Sequence, residues 1–330
     1  MEELLLKLLE ESICNEYTDI HITLEKNHGI IRVRQFGKMR MHSSLSEKNY
    51  RQFINYLKFI SDLDTNEHRI SQSGRIELFV GEESVNLRIS TLPTSLMNEI
   101  IVIRLLNSVK NIPSKNLFRR ENDYRDLKKL CNKNDGLILF TGPTGSGKST
   151  VMFRLLGDIS AKGDRQIITI EDPVEFDLEN IVQVEINEKA RIDYEPILRG
   201  VMRCDPDVIM FGEIRDKKIA EELVKASLSG HLVYSTFHSN SAHSTLLRLK
   251  EYGIYKEELI ESIRVIINQR IIHDGSNSFI IYEYLTKQDI RRILNNEEVK
   301  YKTILHTLEE LYKENLIKVE TYETYKHFYE

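Results

Sequence analysis

The sequence has only three cysteines, and none of its apolar runs approaches the length that a bilayer-spanning helix requires. Cys14, Cys131 and Cys204 are widely spaced and odd in number. This indicates reduced thiols and argues against both a disulfide framework and a zinc site. A basic start followed by a cleavage site is also missing, so we expect no signal peptide and a cytoplasmic chain.

An excess of positive charge is absent as well. The chain carries 46 Lys and Arg residues against 51 Asp and Glu residues, a formal net charge of −5. Because such a field repels a phosphate backbone, we expect no direct nucleic-acid binding. A hydrophobic content of 41% with 29% charged residues is typical of a soluble globular protein, and 330 residues are enough for two domains.

The first third of the chain mixes helix and strand patterns. Leucines at helical spacing predict an amphipathic helix over 1–16, and alternation from Asp19 to Met41 around an Asn27-His28-Gly29 turn predicts a hairpin or meander. A helix is predicted over Glu47–Ser61. Three further strands are predicted at Gly74–Val80, Ser84–Ser90 and Glu99–Leu106.

The remainder alternates strands and helices. Strands are predicted at 137–140, 166–170, 207–211 and 232–236, and helices near 148–161, 195–204 and 217–228. This order predicts an α/β fold with a mainly parallel sheet and helices on both faces. Polar sequence over 107–120 indicates a linker. We expect an α+β cap domain at 1–107, a linker at 108–134, a core at 135–285 and a helical segment at 286–330.

One short segment carries the strongest chemical signal. Gly142-Pro143-Thr144-Gly145-Ser146-Gly147-Lys148-Ser149 fits the phosphate-binding pattern G-x-x-x-x-G-K-[ST] and follows the apolar run 137–140. The glycines let backbone N–H groups point at phosphate oxygens, and the N-terminus of the next helix adds partial positive charge. Lys148 would reach the β and γ oxygens, and Ser149 would ligate magnesium. The segment therefore predicts a nucleotide hydrolase.

Acidic residues follow two later strands. Glu171, Asp172 and Glu175 come after the run 167–170, and Glu213 ends a second apolar strand. Ligands of open parallel sheets bind at such strand ends, where carboxylates beside magnesium hold its waters or polarise an attacking one. We predict Glu213 next to the metal. A helix cap or a surface turn is the alternative for each acid.

Two histidines, His231 and His238, flank the strand predicted at 232–236. A histidine at a strand end can contact a γ-phosphate, although a purely structural role is the more common one.

Taken together, four segments resemble the secretion and type IV pilus superfamily of traffic ATPases, the GspE/PilB/PilT group. They are a Walker A loop at 142–150, an aspartate box at 169–176, a Walker B stretch at 205–216 and a histidine box at 230–238. Thr18-Asp19-Ile20-His21, Gly74-Arg75 and the segment 87–94 are similar to the family's Ser-Asp-Ile-His, Gly-Arg and Arg-x-Ser-Thr-Leu-Pro elements.

The resemblance implies a RecA-like P-loop NTPase core, a smaller PAS-like amino-terminal domain and a ring, usually a hexamer. ATP would be bound on one subunit's core and capped by an amino-terminal domain whose arginines complete the site. It suggests Glu175 or Glu171 as the water-positioning acid, with Glu175 preferred. The catalytic residues implied are Glu175, Glu171, Glu213, Arg88, Arg104, Arg215 and His238. Nucleotide contacts are expected at Gly142, Pro143, Thr144, Gly145, Ser146, Gly147, Lys148, Ser149, Thr150 and His231, and magnesium ligands at Ser149, Glu213 and Asp172.

Two features indicate which subgroup of the family the chain resembles. The chain lacks the four-cysteine zinc module and the long amino-terminal extension of type II secretion enzymes, so no zinc is expected. The segment 266–272 is similar to the Gln-Arg-Leu segment of assembly ATPases. The chain therefore looks like the ComGA type, which powers a competence pseudopilus for DNA uptake together with a polytopic inner-membrane platform protein. A retraction motor, a slow nucleotide-gated regulator and a nucleic-acid translocase remain as alternatives.

Overall fold

The computed structural model describes residues 1–15, 17–35, 38–81, 83–94, 98–106, 117–172, 174, 178–186, 194–275 and 277–329. The chain divides into two compact units, Met1–Asn107 and Ser108–Glu330. The finer division into linker, core and tail stays a prediction, and the range predicted as linker contains a helix at Glu121–Cys131.

The first unit is an antiparallel sheet with two helices. Its elements are α1 (Glu2–Cys14), β1 (Tyr17–Glu25), β2 (His28–Gln35), β3 (Lys38–Ser46), α2 (Glu47–Ile60), β4 (Gln72–Val80), β5 (Glu83–Pro93) and β6 (Glu99–Leu106). The strand order is β3-β2-β1-β6-β5-β4. Alternate side chains of the strands, such as Ile20, Ile22 and Leu87, form one core with Leu9 and Phe53 of the helices. One sheet face is therefore buried, and the other is available for polar side chains.

The turn between β1 and β2 differs from the prediction. Lys26 and Asn27 have positive φ angles of 48° and 66°, so they form the two-residue turn and β2 already begins at His28. Gly29 lies within the ladder instead. A Cβ atom there would lie 2.8 Å from the Cβ atom of Tyr50 on α2, so this glycine permits close packing of helix on sheet.

The second unit is the α/β core that the alternation of elements predicts. Its elements are α3 (Glu121–Cys131), β7 (Gly136–Thr141), α4 (Lys148–Ser160), β8 (Ile167–Glu171), β9 (Val182–Glu185), α5 (Tyr194–Val201), β10 (Val208–Glu213), α6 (Lys217–Leu228), β11 (Leu232–Phe237), α7 (Ala242–Glu251), α8 (Lys256–Ser262), β12 (Ile263–Asp274), β13 (Asn277–Thr286), α9 (Lys287–Leu294), α10 (Ile304–Lys313) and α11 (Val319–Tyr329). The strand order is β13-β12-β7-β11-β10-β8-β9. Among the described strands of this sheet, β12 and β13 pair antiparallel and the other neighbours pair in parallel, which confirms the mainly parallel sheet.

The central strand β7 is buried on both faces. All six of its residues are buried, and its side chains alternate between two apolar layers. Leu137 and Leu139 belong to one layer, whereas Ile138 and Phe140 belong to the other. Burial on both faces explains why β7 reads as a continuous apolar run rather than an alternating one.

The hairpin of β12 and β13 is an element that the sequence patterns did not reveal. β12 is twelve residues long and pairs in parallel with β7 and antiparallel with β13. Its apolar residues come as adjacent pairs and triples rather than in alternation, and periodicity alone does not assign such a pattern to strand or helix. On the hairpin, α10 and α11 pack around a small core that includes Ile272, Phe279 and Leu308.

Candidate functional site

The segment 142–149 forms a tight loop between β7 and α4. Gly142, Gly145 and Gly147 have φ angles of 141°, 76° and 82°, a region that favours glycine. Two of these positions are also crowded. A Cβ atom at Gly142 would lie 2.6 Å from the carbonyl oxygen of Gln269, and one at Gly147 would lie 2.7 Å from Cδ1 of Ile280. The loop therefore requires glycine for conformation and for space.

Lys148 is the first residue of α4, and its side chain folds back over the loop. Nζ donates to the carbonyl oxygens of Gly142 (3.1 Å) and Pro143 (2.9 Å), and the residue is only 7% exposed. Burial lowers the pKa of Lys148, while the nearby Glu213 carboxylate acts to raise it. A weakly hydrated ammonium group is thereby held at the loop, where an anion gains most from it.

A cleft of about 350 Å³ opens beside this loop. Because β7, β8, β10 and β11 run in parallel, their carboxyl ends meet at one edge of the sheet and deliver their next residues to the same place. The residues that line the cleft are Thr144, Gly145, Ser146, Gly147, Lys148, Ser149, Thr150, Phe153, Ile170, Glu171, Asp172, Tyr194, Met210, Gly212, Glu213, Arg215, Thr236 and His238.

Charged side chains of alternating sign meet across the cleft. Arg215 Nη1 lies 2.9 Å from Asp172 Oδ2, and its Nε lies 3.9 Å from Glu213 Oε2. His238 Nε2 lies 3.4 Å from the other oxygen of Glu213. Tyr194 donates its hydroxyl to Asp172 at 3.1 Å. The structure thus brings together Asp172, the pair Glu213 and Arg215, and His238, which come from three separate segments of the sequence.

Glu171 is the most deeply buried acid of the cleft, at 3% exposure. Its Oε1 accepts hydrogen bonds from Thr169 Oγ1 (2.7 Å) and Gln183 Nε2 (2.9 Å), which fix the orientation of the carboxylate. Glu175, the acid preferred for positioning water, lies outside the described residues. The choice between these two acids therefore stays open.

His231 does not join the cleft. It precedes β11, whereas His238 follows it, so roughly 20 Å of extended strand separates them. His231 Nδ1 instead lies 3.0 Å from Ser229 Oγ and 3.1 Å from the carbonyl oxygen of Ala226. His231 is thus not among the residues that line the cleft, because the two ends of a strand lie at opposite edges of the sheet, and its nucleotide contact stays a prediction.

Arg88 and Arg104 lie in the first unit and are directly opposite each other on β5 and β6. Arg104 Nε lies 2.8 Å from Asp19 Oδ1, and Arg88 Nε donates to Ser73 Oγ at 3.1 Å. Arg75 is opposite Arg88 on β4. Since paired positions share a sheet face, these three arginines lie in one row across the face away from the apolar core.

The oxygen atoms near the loop suit a magnesium ion. Ser149 supplies a hydroxyl group in the first turn of α4, and Glu213 and Asp172 supply carboxylates, and all three line the cleft. Hard oxygen ligands of this kind, few in number, match a magnesium ion that is shared with phosphate. Within the described residues, no group of three or more His, Cys, Asp or Glu side chains is placed to hold a metal by itself.

Some residues of the site were not predicted. Tyr194 and Thr236 line the cleft, and Thr236 Oγ1 donates to the carbonyl oxygen of Gly212 at 2.7 Å, which ties β11 to the end of β10. Neither residue belongs to a charged or glycine-rich pattern. Only the position of Thr236 at a strand end could have pointed to it.

None of the helices that the structure describes combines the length and the apolar character of a membrane span.

Comparison with known proteins places these features in a family. The family described as "Type II/IV secretion system protein" matches residues 1–307. Type II secretion system protein E of Aeromonas hydrophila is 39% identical over 267 residues, which are 80% of this chain and 53% of that protein. Competence protein ComGA of Bacillus subtilis strain 168 is 36% identical over 275 residues, 82% of this chain and 76% of that protein. The chain spans about half the length of the type II secretion relatives.

Solved structures show the same fold. The pilus retraction motor PilT with bound ADP is similar with a TM-score of 0.77 at 27% identity, over 96% of this chain and 95% of that chain. The Legionella pneumophila ATPase DotB has a TM-score of 0.74 at 19% identity, over 97% of this chain and 94% of that chain. At that identity, the second likeness concerns the fold alone.

Proposed function

We propose that this chain, which belongs to the type II/IV secretion system protein family, is a magnesium-dependent ATPase that moves a pilus-like filament. The observation that carries the proposal is the position of Lys148. Its buried ammonium group sits on a glycine loop, in the same cleft as Asp172, Glu213, Arg215 and His238. A phosphate cradle, a metal site, an acid that orients water and positive charge near the γ-phosphate are the parts that phosphoryl transfer requires.

Each part has a defined task in this proposal. The amides of 142–149 and Lys148 bind the β- and γ-phosphates, and Ser149, Glu213 and Asp172 hold magnesium, which neutralises charge on the phosphate oxygens when bound. Glu171 or Glu175 orients the attacking water. His238 touches the γ-phosphate from the end of β11, and Arg215 supplies positive charge within the core once it exchanges its contact with Asp172 for one with phosphate.

Arg88 and Arg104 complete the site in a homo-oligomeric ring, which we propose to be a hexamer. Arg75, Arg88 and Arg104 lie directly opposite one another on neighbouring strands, so their positive charges are concentrated in one row on this face. A triphosphate presented by another subunit would bring negative charge to this row. The exposed face of the first unit is therefore suited to capping an anion.

The proposal also concerns which filament the motor moves and whether it assembles or retracts it. The ComGA relative is matched over 76% of its length and the type II secretion relatives over about half, which favours a ComGA-like motor that assembles a competence pseudopilus for DNA uptake. Such a motor would associate with the cytoplasmic face of the membrane through a polytopic platform protein. The likeness to PilT favours retraction as the second candidate. Deletion of the gene distinguishes them, since loss of an assembly motor removes filaments and loss of a retraction motor leaves them in excess.

Calorimetry with magnesium-ATP and measurement of phosphate release test the ATPase proposal. Lys148→Ala should remove hydrolysis and leave the circular dichroism spectrum unchanged, because the loss concerns one cationic contact with phosphate. Lys162→Ala, at an exposed lysine just beyond α4, is the matched control and should behave as wild type. Turnover retained by Lys148→Ala would contradict the assignment. Binding of ATP without turnover, even with the membrane partner present, would identify a nucleotide-gated regulator instead.

A further inference from the structure

The loop that carries His238 is held through its backbone. Three consecutive carbonyl groups, those of residues 238, 239 and 240, each accept a hydrogen bond from a side chain of α7 or β12. The donors are Arg248 Nη1 to His238, Asn268 Nδ2 to Ser239 (3.2 Å) and Arg270 Nη2 to Asn240 (2.5 Å). The position of His238 opposite Glu213 therefore depends on side chains outside the cleft.

Arg270 connects this loop with the phosphate-binding loop. Its Nη1 donates to Asn268 Oδ1 (2.9 Å) and to the carbonyl oxygen of Gln269 (2.8 Å). Asn268 Nδ2 also donates to Thr141 Oγ1 at 2.8 Å, immediately before Gly142. A Cβ atom at Gly142 would itself lie 3.3 Å from Arg270 Nη1. One guanidinium group thus contacts the His238 loop directly through Asn240, and it contacts Asn268, which is hydrogen-bonded to the residues beside both loops.

Tyr329, the last residue of α11, lies beside this guanidinium group. The carbon atom Cζ of Arg270 is 5.9 Å from the centroid of the Tyr329 ring. Burial lowers the pKa of Arg270, whereas Tyr329 and Glu283 act in the opposite direction. An aromatic ring next to a cation is favourable, and it shields the hydrogen bonds of that cation from water.

The helix α11 is itself firmly placed. It packs against α10 and the hairpin of β12 and β13 through aromatic and polar contacts. These are the stacked rings of Tyr312 and Tyr322, with centroids 4.5 Å apart, the hydrogen bond from Thr321 Oγ1 to Asp274 Oδ1 (2.6 Å), and the one from the His273 amide to Tyr325 Oη (3.0 Å). A helix fixed in this way determines where Tyr329 lies.

We propose that α11 is a positioning element of the cleft. Tyr329 keeps Arg270 in place, and Arg270 in turn sets the His238 loop against the phosphate-binding loop. Both are positioning residues, since neither lines the cleft. The kinetic part of the proposal rests on the proposed ATPase function, whereas the structural coupling from α11 to residues 238–241 does not.

Tyr329→Ala tests the coupling in two ways. Hydrogen–deuterium exchange of the nucleotide-free protein should show amides of 238–241 exchanging about tenfold faster, as expected when one hydrogen bond of ordinary net strength is weakened. In ATP hydrolysis, kcat should fall about three- to tenfold while KM changes less than about twofold, since the contact acts on the geometry of His238 rather than on binding.

Two matched variants complete the experiment. Tyr329→Phe keeps the ring and should restore most of the protection and of kcat. Phe328→Ala removes the neighbouring ring of the same helix, which is 76% exposed, and should behave as wild type.

Unchanged exchange at 238–241 in Tyr329→Ala would overturn the proposal, and so would equal effects of Tyr329→Ala and Phe328→Ala. A rise in KM with kcat retained would also contradict it. If the wild-type protein hydrolyses no ATP, the proposed function fails, but the exchange result still decides whether α11 positions the loop.

Discussion

The two sheets of this protein place functional side chains in different ways. In the antiparallel sheet of the first unit, β5 buries Leu87 completely while Arg88 lies on the opposite, accessible face. In the mainly parallel sheet of the second unit, β7 buries every residue, so polar groups can act only beyond the strand ends. Polar functional side chains therefore lie along one face of the first sheet and beyond the strand ends, at one edge, of the second sheet.

The largest expected effect tests whether arginines on the antiparallel sheet of one subunit complete the cleft at the edge of the parallel sheet in another subunit. Arg88→Ala should lower hydrolysis about 10³-fold or more, as loss of a supplied arginine does in other phosphoryl-transfer systems. Mixing it with Lys148→Ala protein should restore activity at about a quarter of random subunit contacts, where an intact cap meets an intact cleft in a ring with one repeated interface. Phosphate release from refolded mixtures measures this recovery.

Arg40→Ala, at an exposed arginine of β3, is the control for the mixing experiment. By itself it should have the turnover of the wild-type protein. Mixed with Lys148→Ala protein, it should give the same activity as the wild type mixed with Lys148→Ala. Absence of recovery in mixed assemblies that are shown to contain both variants would rule out a shared site.

The next effect concerns neighbouring positions of a single strand. On β5, Leu87→Ala should reduce the free energy of unfolding by about 2–5 kcal/mol, and Arg88→Ala should change it by less than about 0.5 kcal/mol. On β7, Ile138→Ala and Leu139→Ala should each cost about 2–5 kcal/mol, because both are inaccessible. Urea unfolding followed by circular dichroism measures these differences. If either alanine variant of β7 unfolded with the free energy of the wild type, burial of that strand on both faces would be refuted.

The smallest expected effect concerns Asp19, which lies beside Arg104 in the row of arginines on the first sheet. Burial acts to raise the pKa of Asp19, but hydrogen bonds from Arg104 and Thr18 outweigh it and leave the pKa below its ordinary value of 3.8. A lowered carboxyl pKa stabilises the folded state above that value, and this contribution is lost as the pH falls through the folded-state pKa.

Asp19→Asn should therefore cost about 1 kcal/mol at pH 7, a modest figure because Arg104 is partly exposed to screening solvent. The difference from wild type should vanish in strongly acidic solution. Unfolding curves of both proteins from pH 7 down to about pH 2, below the folded-state pKa, check this. A difference that persists at the lowest pH would show that the carboxylate charge of Asp19 is not the stabilising feature.

Local patterns predicted much of the fold. The phosphate-binding loop and the strands before and after it lie where their residues indicate, since glycine spacing and apolar runs act over a few residues. The places of the two histidines relative to the cleft differ for a physical reason. His231 and His238 look equivalent in the sequence, but only one of them follows the strand, and chain direction relative to the neighbouring strands decides which edge it reaches.

The missed features depend on contacts between distant segments. The burial of β12 beside β7 turns Asn268 and Arg270 toward the two loops, and no residue near Thr141 or Asn240 announces that contact. The helix α3 likewise lies within the range predicted as linker. Its apolar residues Leu127 and Cys131 belong to the layer around β7, and that contact joins segments that the local pattern does not connect.

The amino-acid sequence by itself determined the loop at 142–149 and the strands and helices that alternate around it, because these follow from short-range conformational preference and apolar periodicity. Only the tertiary structure decided which carboxylates face Lys148, that His238 and not His231 lies in the cleft, and that α11 lies against Arg270. Those relations join residues tens of positions apart in the sequence, and parallel strand pairing and side-chain packing bring them together.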